Sequence, residues 1–174
     1  ITPLTESLSL SDEFQRSLFI KWDNKLRTGS FKERGALNFL LSMKKEELAR
    51  GVCAASAGNH ALALSFHANR LKAPCHLVMP TSAPLVKVES CRKLGARIVH
   101  RANLAECLEF AQELSKSEGL TFVPPYDHRV IVEGQGVAGL EILEQLADFD
   151  SLIIPVGGGG YAAGIATAVK AKRP

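Results

Sequence analysis

The chain has 174 residues, of which 46% are hydrophobic and 22% charged, so it has the composition and length of a folded protein with a sizeable core. Its formal net charge is +3, but the basic residues are scattered and not interleaved with aromatics, which argues against nucleic-acid binding. No apolar stretch has transmembrane length and the N-terminus lacks a signal-peptide pattern, so we expect a soluble, cytoplasmic protein without a membrane partner. The four cysteines and five histidines match no zinc spacing, which predicts reduced core thiols and no metal site.

Strands and helices alternate along the chain. Strands joined by crossover helices pair in parallel, with helices on both faces of the sheet, so the pattern predicts an α/β fold. Apolar and amphipathic patterns predict strands at 17–22, 51–55, 74–79, 96–100, 120–123 and 151–156, and helices that begin at Ser30 or cover 59–71, 84–94, 103–118, 136–147 and 161–170.

The first candidate site is a lysine at the start of the first predicted helix. Ser30 and Glu33 have the spacing of a capping box, which predicts Ser30 as the N-cap and Lys32 as a first-turn residue. The positive end of the helix dipole disfavours a charged ammonium there and favours a neutral, nucleophilic amine. A lone lysine is more often solvated than reactive, so this motif needs support from elsewhere in the chain.

Gly134–Gly139 matches the dinucleotide fingerprint G-x-G-x-x-G and follows the apolar stretch 130–132. The fingerprint expects an acidic residue about twenty positions later, and none occurs between Ile153 and Tyr161. Its glycines lie on the apolar face of the predicted helix, with Glu141 on the opposite, polar face. We therefore favour close helix packing as the reason for these glycines.

Gly157–Gly160 joins the predicted strand 151–156 to a helix. Four successive glycines leave the backbone N–H groups free to approach an anion closely, so this loop predicts a phosphate cradle. The loop also satisfies G-x-G-x-x-A, which keeps nicotinamide dinucleotide binding open as an alternative.

A third cluster, 55–61, also lies at a strand-to-helix turn. Ser56 and Asn59 supply neutral hydrogen-bonding groups, and the helix N-terminus suits a carboxylate. The same residues could form only a capped turn with Asn59 as the N-cap.

Taken in order, three runs resemble the threonine dehydratases of the fold-type-II pyridoxal phosphate enzymes. They are Thr28-Gly29-Ser30-Phe31-Lys32-x-Arg34-Gly35-Ala36, Ser56-Ala57-Gly58-Asn59-His60-Ala61 and Pro155-Val156-Gly157-Gly158-Gly159-Gly160. The resemblance implies three-layer αβα parallel sheets of the tryptophan synthase β type. It also implies a small domain at 45–130, flanked by 1–44 and 131–174 as part of a larger cofactor-binding domain, and a chain that is a piece of a longer protein.

The resemblance further implies a role for each motif. Lys32 would form the Schiff base with pyridoxal 5′-phosphate and take the α-proton of the substrate. Phe31 would lie against the pyridine ring, and Asn59 would hydrogen-bond its 3-hydroxyl. The phosphate would be held by Gly157, Gly158, Gly159, Gly160 and the Tyr161 backbone, and the substrate carboxylate by Ser56, Ala57, Gly58, Asn59 and His60.

The implied activity is dehydration and deamination of L-threonine or L-serine to a 2-oxo acid and ammonia, by a homo-oligomer. Serine racemases resemble the pattern but carry a second serine at position 57, and Ala57 has no titratable group, so elimination is favoured over racemisation. Asp23 and Leu62 depart from the family pattern, which usually has glutamate and glutamine there. Three alternatives stay open: a truncated, catalytically silent cofactor-binding or interaction module, a serine racemase-like enzyme, and a nicotinamide-dependent dehydrogenase.

Overall fold

The structure is a computed structural model that describes residues 1–146 and 148–174. In chain order the elements are β1 (Leu4–Glu6), α1 (Leu8–Phe14), β2 (Phe19–Lys21), a 3-10 turn (Asp23–Lys25), α2 (Lys32–Ser42), α3 (Lys45–Arg50), β3 (Val52–Ala55), α4 (Asn59–Arg70), β4 (Cys75–Pro80), α5 (Leu85–Lys93), β5 (Arg97–Arg101), α6 (Leu104–Ser117), β6 (Thr121–Phe122), α7 (Arg129–Gln145) and α8 (Gly160–Lys170).

A four-stranded parallel sheet forms the centre of the chain, in the order β5-β4-β3-β6. Because side chains alternate across a strand, β3 and β4 feed two separate apolar clusters. Ala54 and Leu77 belong to the cluster beneath α4 and α5, whereas Cys53 and Val78 belong to the cluster beneath α6. The sheet therefore lies between two helical layers, which confirms the predicted α/β class.

The four cysteines lie on β3, β4, α5 and α6, in the four-stranded sheet and the helices that cover it, which we call the sheet unit. Cys53, Cys75, Cys91 and Cys107 are all buried and free. Burial raises the pKa of the Cys53 thiol to about 11 and that of Cys75 to about 12, so both are protonated near neutral pH.

Helices α7 and α8 pack at backbone distance through glycines. A Cβ built on Gly136 would lie 2.9 Å from the carbonyl oxygen of Gly164, and one on Gly139 would lie 3.1 Å from that of Ile165. On the other side of α7, a Cβ on Gly134 would lie 2.7 Å from the carbonyl oxygen of Arg34 in α2. The glycines thus let three helices stack closely, as the packing interpretation predicted.

Two predictions about α7 need correction. The helix begins at Arg129 and not at Gly136, because the His128 side chain accepts a hydrogen bond from the Val130 N–H and caps it there. The apolar stretch 130–132 is therefore helical, and the fingerprint lies in mid-helix. The predicted end at Ala147 lies outside the described residues.

The predicted strand 151–156 is also wrong, since the structure gives these residues no regular secondary structure. A strand exists through ladder hydrogen bonds to a neighbour, and none of the strands in the described residues pairs with this segment. The segment instead borders a cleft of about 1200 Å³, across from residues 18–22, and Ile153 is 90% exposed there.

Within the described residues, no helix has both the length and the apolarity needed to cross a membrane, and no group of three His, Cys, Asp or Glu side chains could hold a metal ion.

Candidate active site around Lys32

Lys32 lies in the first turn of α2, as predicted, and is the first residue of that helix, but Ser30 is not its cap. The N-cap residue is Phe31, and no side chain among the described residues caps the helix. Glu33 reaches past Ser30 and accepts a hydrogen bond from the N–H of Thr28. The hydroxyl of Ser30 is buried and has no partner within the described residues. Glu33 therefore closes the turn at Gly29, whose φ is +75°, and the capping box is replaced by a wider loop.

The side chain of Lys32 is directed to the segment that precedes α7. Its Nζ donates a hydrogen bond to the carbonyl oxygen of Pro125 at 2.5 Å and lies 5.4 Å and 5.8 Å from the ring centroids of Phe31 and Tyr126. Burial lowers the pKa of this amine below its ordinary value of 10.5. A larger fraction of Lys32 is therefore neutral and nucleophilic than of a solvated lysine.

A cavity of about 360 Å³ joins Lys32 to the glycine loop. The structure thus brings two of the three predicted motifs together, although 125 residues separate Lys32 from Gly157 in the sequence. The cavity is lined by Phe31, Lys32, Pro125, Tyr126, Gln135, Pro155, Val156, Gly157, Gly158, Gly159, Gly160 and Tyr161.

The glycine loop presents unpaired donors to this cavity. In the part of the chain that the structure describes, no N–H group of residues 157–162 donates to a protein acceptor, and the first of α8 to do so belongs to Ala163. Gly159 has φ of +85° and forms the N-cap. A Cβ on Gly158 would collide with the ring of Tyr126, and one on Gly160 would lie 2.6 Å from the carbonyl oxygen of Tyr126. The loop therefore requires glycine for both its conformation and its packing.

These features fit a phosphorylated aldehyde. Free N–H groups at a helix N-terminus suit a phosphate dianion, and a desolvated amine in the same cavity suits a carbonyl carbon. The fit rests on the donors and on Lys32, which share one cavity.

The third motif lies apart from this cavity. The hydroxyl of Ser56 accepts a hydrogen bond from the N–H of Gly58 at 3.2 Å, which is a local turn contact. Asn59 is the first residue of α4 and not its N-cap; it is exposed, and its Oδ1 accepts a hydrogen bond from Lys87 at 3.0 Å. Like Ala57, none of these residues lines the cavity beside Lys32.

His60 is buried, and its Nε2 lies 3.0 Å from the carbonyl oxygen of Val123. Burial lowers its pKa to about 4, so the ring is neutral and cannot offer a charge to a carboxylate near neutral pH. Of His60, therefore, the backbone and not the side chain is available to a ligand at the start of α4.

A buried ionic network behind the cavity was missed by the sequence interpretation. Arg34 donates to both carboxylate oxygens of Asp23, at 2.9 Å and 2.8 Å, and to both of Glu141, at 2.6 Å and 2.9 Å. Lys21 lies 2.6 Å from Glu141, so this carboxylate pairs with two basic side chains. Glu141 is only 6% exposed, which corrects its predicted place on a polar helix face.

The network fixes the charge state of its members. Burial alone would raise the pKa of Glu141, but hydrogen bonds from Arg34, Lys21 and Thr2 lower it to about 2. One signal for this network was present in the sequence, since Arg34 lies in the Lys32 motif. Its partners are up to 107 residues away, at a separation that no local pattern reports.

Comparison with known proteins identifies the class. All of residues 1–174 match the family of pyridoxal-phosphate dependent enzymes, and the chain belongs to it. Pyridoxal phosphate is the cofactor of this family, which supports the resemblance to fold-type-II enzymes over the nicotinamide alternative.

The curated relatives include several threonine dehydratases. The chain is 41% identical to the biosynthetic L-threonine dehydratase of Haemophilus influenzae, covering 100% of this chain and 34% of that protein. It is 42% identical to the L-threonine ammonia-lyase of Geobacter sulfurreducens, covering 99% of this chain and 43% of that protein. The chain thus spans less than half the length of these two relatives.

Solved structures agree on the fold. Threonine deaminase isoform 2 of Solanum lycopersicum superimposes with a TM-score of 0.95 at 41% identity, over 98% of this chain and 47% of that one. Maize serine racemase superimposes with a TM-score of 0.94 at 34% identity, over 98% and 52% of the two chains. The fold is therefore shared by lyases and racemases, and it does not choose between these reactions.

Proposed function

We propose that the chain carries the lysine and the phosphate cradle of a pyridoxal phosphate dependent L-threonine or L-serine ammonia-lyase, which releases a 2-oxo acid and ammonia. One observation carries the proposal: the Nζ of Lys32 and the free N–H groups of the loop 157–160 line the same cavity. The names of the similar threonine dehydratases support the choice of reaction.

Each residue then has a chemical task. Bound pyridoxal phosphate supplies an electron sink for the charge left at the α-carbon. The Nζ of Lys32 would hold the cofactor, and when it is free its neutral amine would take the α-proton of the substrate. The N–H groups of 157–160 and of Tyr161 hold the phosphate, and the ring of Phe31 excludes water beside Lys32.

The roles proposed for the α4 N-terminus require it to approach Lys32. Ser56, Asn59 and the backbone N–H groups of 57, 58 and 60 would bind the substrate carboxylate, and Asn59 would bind the 3-hydroxyl of the cofactor. We propose that the unit 45–130 moves toward the unit formed by 1–44 and 131–174 when substrate binds, which would bring them into reach.

Racemisation is the second candidate, because maize serine racemase superimposes so closely. That reaction needs a proton donor on the face opposite Lys32. Ala57 has no titratable group and cannot supply that proton. We therefore favour elimination over racemisation.

The test uses the full chain incubated with pyridoxal phosphate and reduced with borohydride. Peptide mapping should find the label on Lys32, and Lys32→Ala should abolish both the label and the visible absorbance. Lys93→Ala is the matched control, because Lys93 is exposed at the end of α5 and distant in the sequence from both motifs. A label on another lysine would refute the proposed site.

Product analysis separates the candidates. L-threonine should yield 2-oxobutanoate, whereas D-serine formed from L-serine would favour the racemase. A chain that is labelled at Lys32 but releases neither product is the catalytically silent module, which the open cleft along 151–156 would suit as an interaction surface. Light scattering on the same sample tests the predicted homo-oligomer.

A further inference from the structure

We infer that Tyr161 and Asp23 are positioning residues that fix the glycine loop 157–160, called the phosphate loop below, relative to the lysine-bearing helix α2 and so set the affinity for the cofactor's phosphate. The inference rests on the proposed function and adds to it a role for two side chains. Tyr161 was implicated only through its backbone.

The loop has no side chain of its own with which to hold its position. Residues 157–160 are all glycine, and the conformational freedom of glycine makes a free loop of this kind entropically costly to order. Tyr161 is the first side chain after the loop and the second residue of α8. The direction of the N–H groups that precede it therefore depends on where this ring is held.

The ring is held at two points. Its face stacks on Phe31 with ring centroids 4.1 Å apart and an interplanar angle of 20°. Its hydroxyl donates a hydrogen bond to Oδ2 of Asp23 at 3.0 Å. Because Phe31 directly precedes Lys32, one side chain links the phosphate loop to the reactive lysine.

Asp23 is a rigid acceptor. Its carboxylate is 9% exposed and receives two hydrogen bonds from Arg34 and one, at 2.7 Å, from the hydroxyl of Thr2. Arg34 lies two residues after Lys32 on α2, so the tyrosine hydroxyl is tied to the lysine helix by a second route. Burial raises the pKa of the Tyr161 phenol, which keeps this donor protonated near neutral pH.

The length of both side chains suits this arrangement. Asp23 has a short side chain, and the long, rigid ring of Tyr161 reaches its carboxylate. A tyrosine has only two side-chain torsions, so little entropy is lost when it is fixed between two elements.

The test compares two ligands that differ only by the phosphate. Tyr161→Phe keeps the stack on Phe31 and removes only the hydrogen bond to a charged acceptor, so the full chain should bind pyridoxal phosphate about tenfold more weakly. Binding of pyridoxal, which lacks the phosphate, should stay within about twofold of the wild type. Thr167→Val, which removes an exposed hydroxyl later on α8, is the control and should change neither affinity.

A double-mutant cycle adds a second readout. If Asp23 acts through Tyr161, the variant that combines Asp23→Asn and Tyr161→Phe should bind pyridoxal phosphate no more weakly than the Asp23→Asn variant does. Melting temperatures of the cofactor-free variants report folding separately. Where Tyr161→Phe does not fold, the affinities of the Asp23→Asn variant for pyridoxal phosphate and for pyridoxal decide the test.

The outcomes are distinguishable. Wild-type protein that fails to capture pyridoxal phosphate on Lys32 refutes the proposed function. If the wild type captures it and Tyr161→Phe binds it equally well, the positioning role alone is overturned. Equal losses for pyridoxal and pyridoxal phosphate also overturn it, since they indicate a general structural effect.

Discussion

Gly164 lies outside the candidate site, but a methyl group added there should lower both the stability of the fold and the affinity of the site for its cofactor. A Cβ there would lie 2.7 Å from the backbone nitrogen of Gly136 and would also clash with the carbonyl oxygen of Val132. Van der Waals contact for such atoms begins at about 3.5 Å, so the overlap is about 1 Å. Both obstacles are backbone atoms, and no side-chain rotation can relieve the overlap.

The magnitude follows from two opposing effects. Overpacking costs typically about 1–3 kcal/mol, and the upper end applies because α7 and α8 must separate as whole helices. Replacing glycine by alanine within a helix returns about 1 kcal/mol. Gly164→Ala should therefore lower the free energy of unfolding by about 2 kcal/mol. Because α8 directly follows the glycine loop 157–160, which we propose as the phosphate site, the affinity for pyridoxal phosphate should fall as well.

Urea unfolding followed by circular dichroism measures this, with a lower midpoint and an unchanged slope as the expected result. Gly139→Ala is the matched control, since its Cβ would meet its nearest neighbours at 3.1 Å and 3.2 Å, which small shifts can relieve. We expect that variant to stay within about 1 kcal/mol of the wild type. A Gly164→Ala protein that is more stable than the wild type would refute the close packing of these helices.

Two further predictions concern buried polar groups. Ser30→Ala removes a buried hydroxyl that has no partner within the described residues, so the free energy of unfolding should rise or should fall by less than about 0.5 kcal/mol. If Ser30 were the N-cap, the same substitution would lower it by about 1 kcal/mol. Urea unfolding distinguishes the two outcomes. Glu141 has a pKa lowered to about 2 from 4.5, so it stabilises the fold above pH 4.5, and this contribution is lost as the pH falls toward 2. Glu141→Gln should be less stable than the wild type at pH 6, with a smaller loss between pH 5 and pH 3, and an unchanged pH slope would contradict the ion pairing.

Local patterns predicted the parts of the site that are continuous in sequence. The position of Lys32 at a helix start, the loop at Gly157–Gly160 and the tightly packed glycines of α7 all follow from residue type and spacing, and the structure agrees. The sequence pattern could not show which of several backbone N–H groups a side chain would bind in the fold. Glu33 was predicted to serve the helix start, but in the fold it bonds the N–H of Thr28 instead.

Long-range partners explain the other errors. The apolar run 151–156 has the pattern of a buried strand, but pattern does not provide a neighbouring strand. Glu141 reads as a surface residue on its own helix, and only the approach of Arg34 and Lys21 makes its burial favourable. The link from Tyr161 to Asp23 spans 138 residues and depends on the whole packing of α2, α7 and α8. The roles implied for Ser56, Asn59 and His60 stay predictions.

The four buried thiols lie only in the sheet unit, and Lys32, the glycine loop and the ionic network contain none. Alkylation of Cys53, Cys75, Cys91 or Cys107 must therefore wait for β3, β4, α5 or α6 to open. The rate at which each cysteine is alkylated therefore measures local opening of the strand or helix that carries it. Because the proposed site of pyridoxal phosphate lies outside these four elements, a change in that rate on addition of the cofactor would measure how strongly the site is coupled to the sheet.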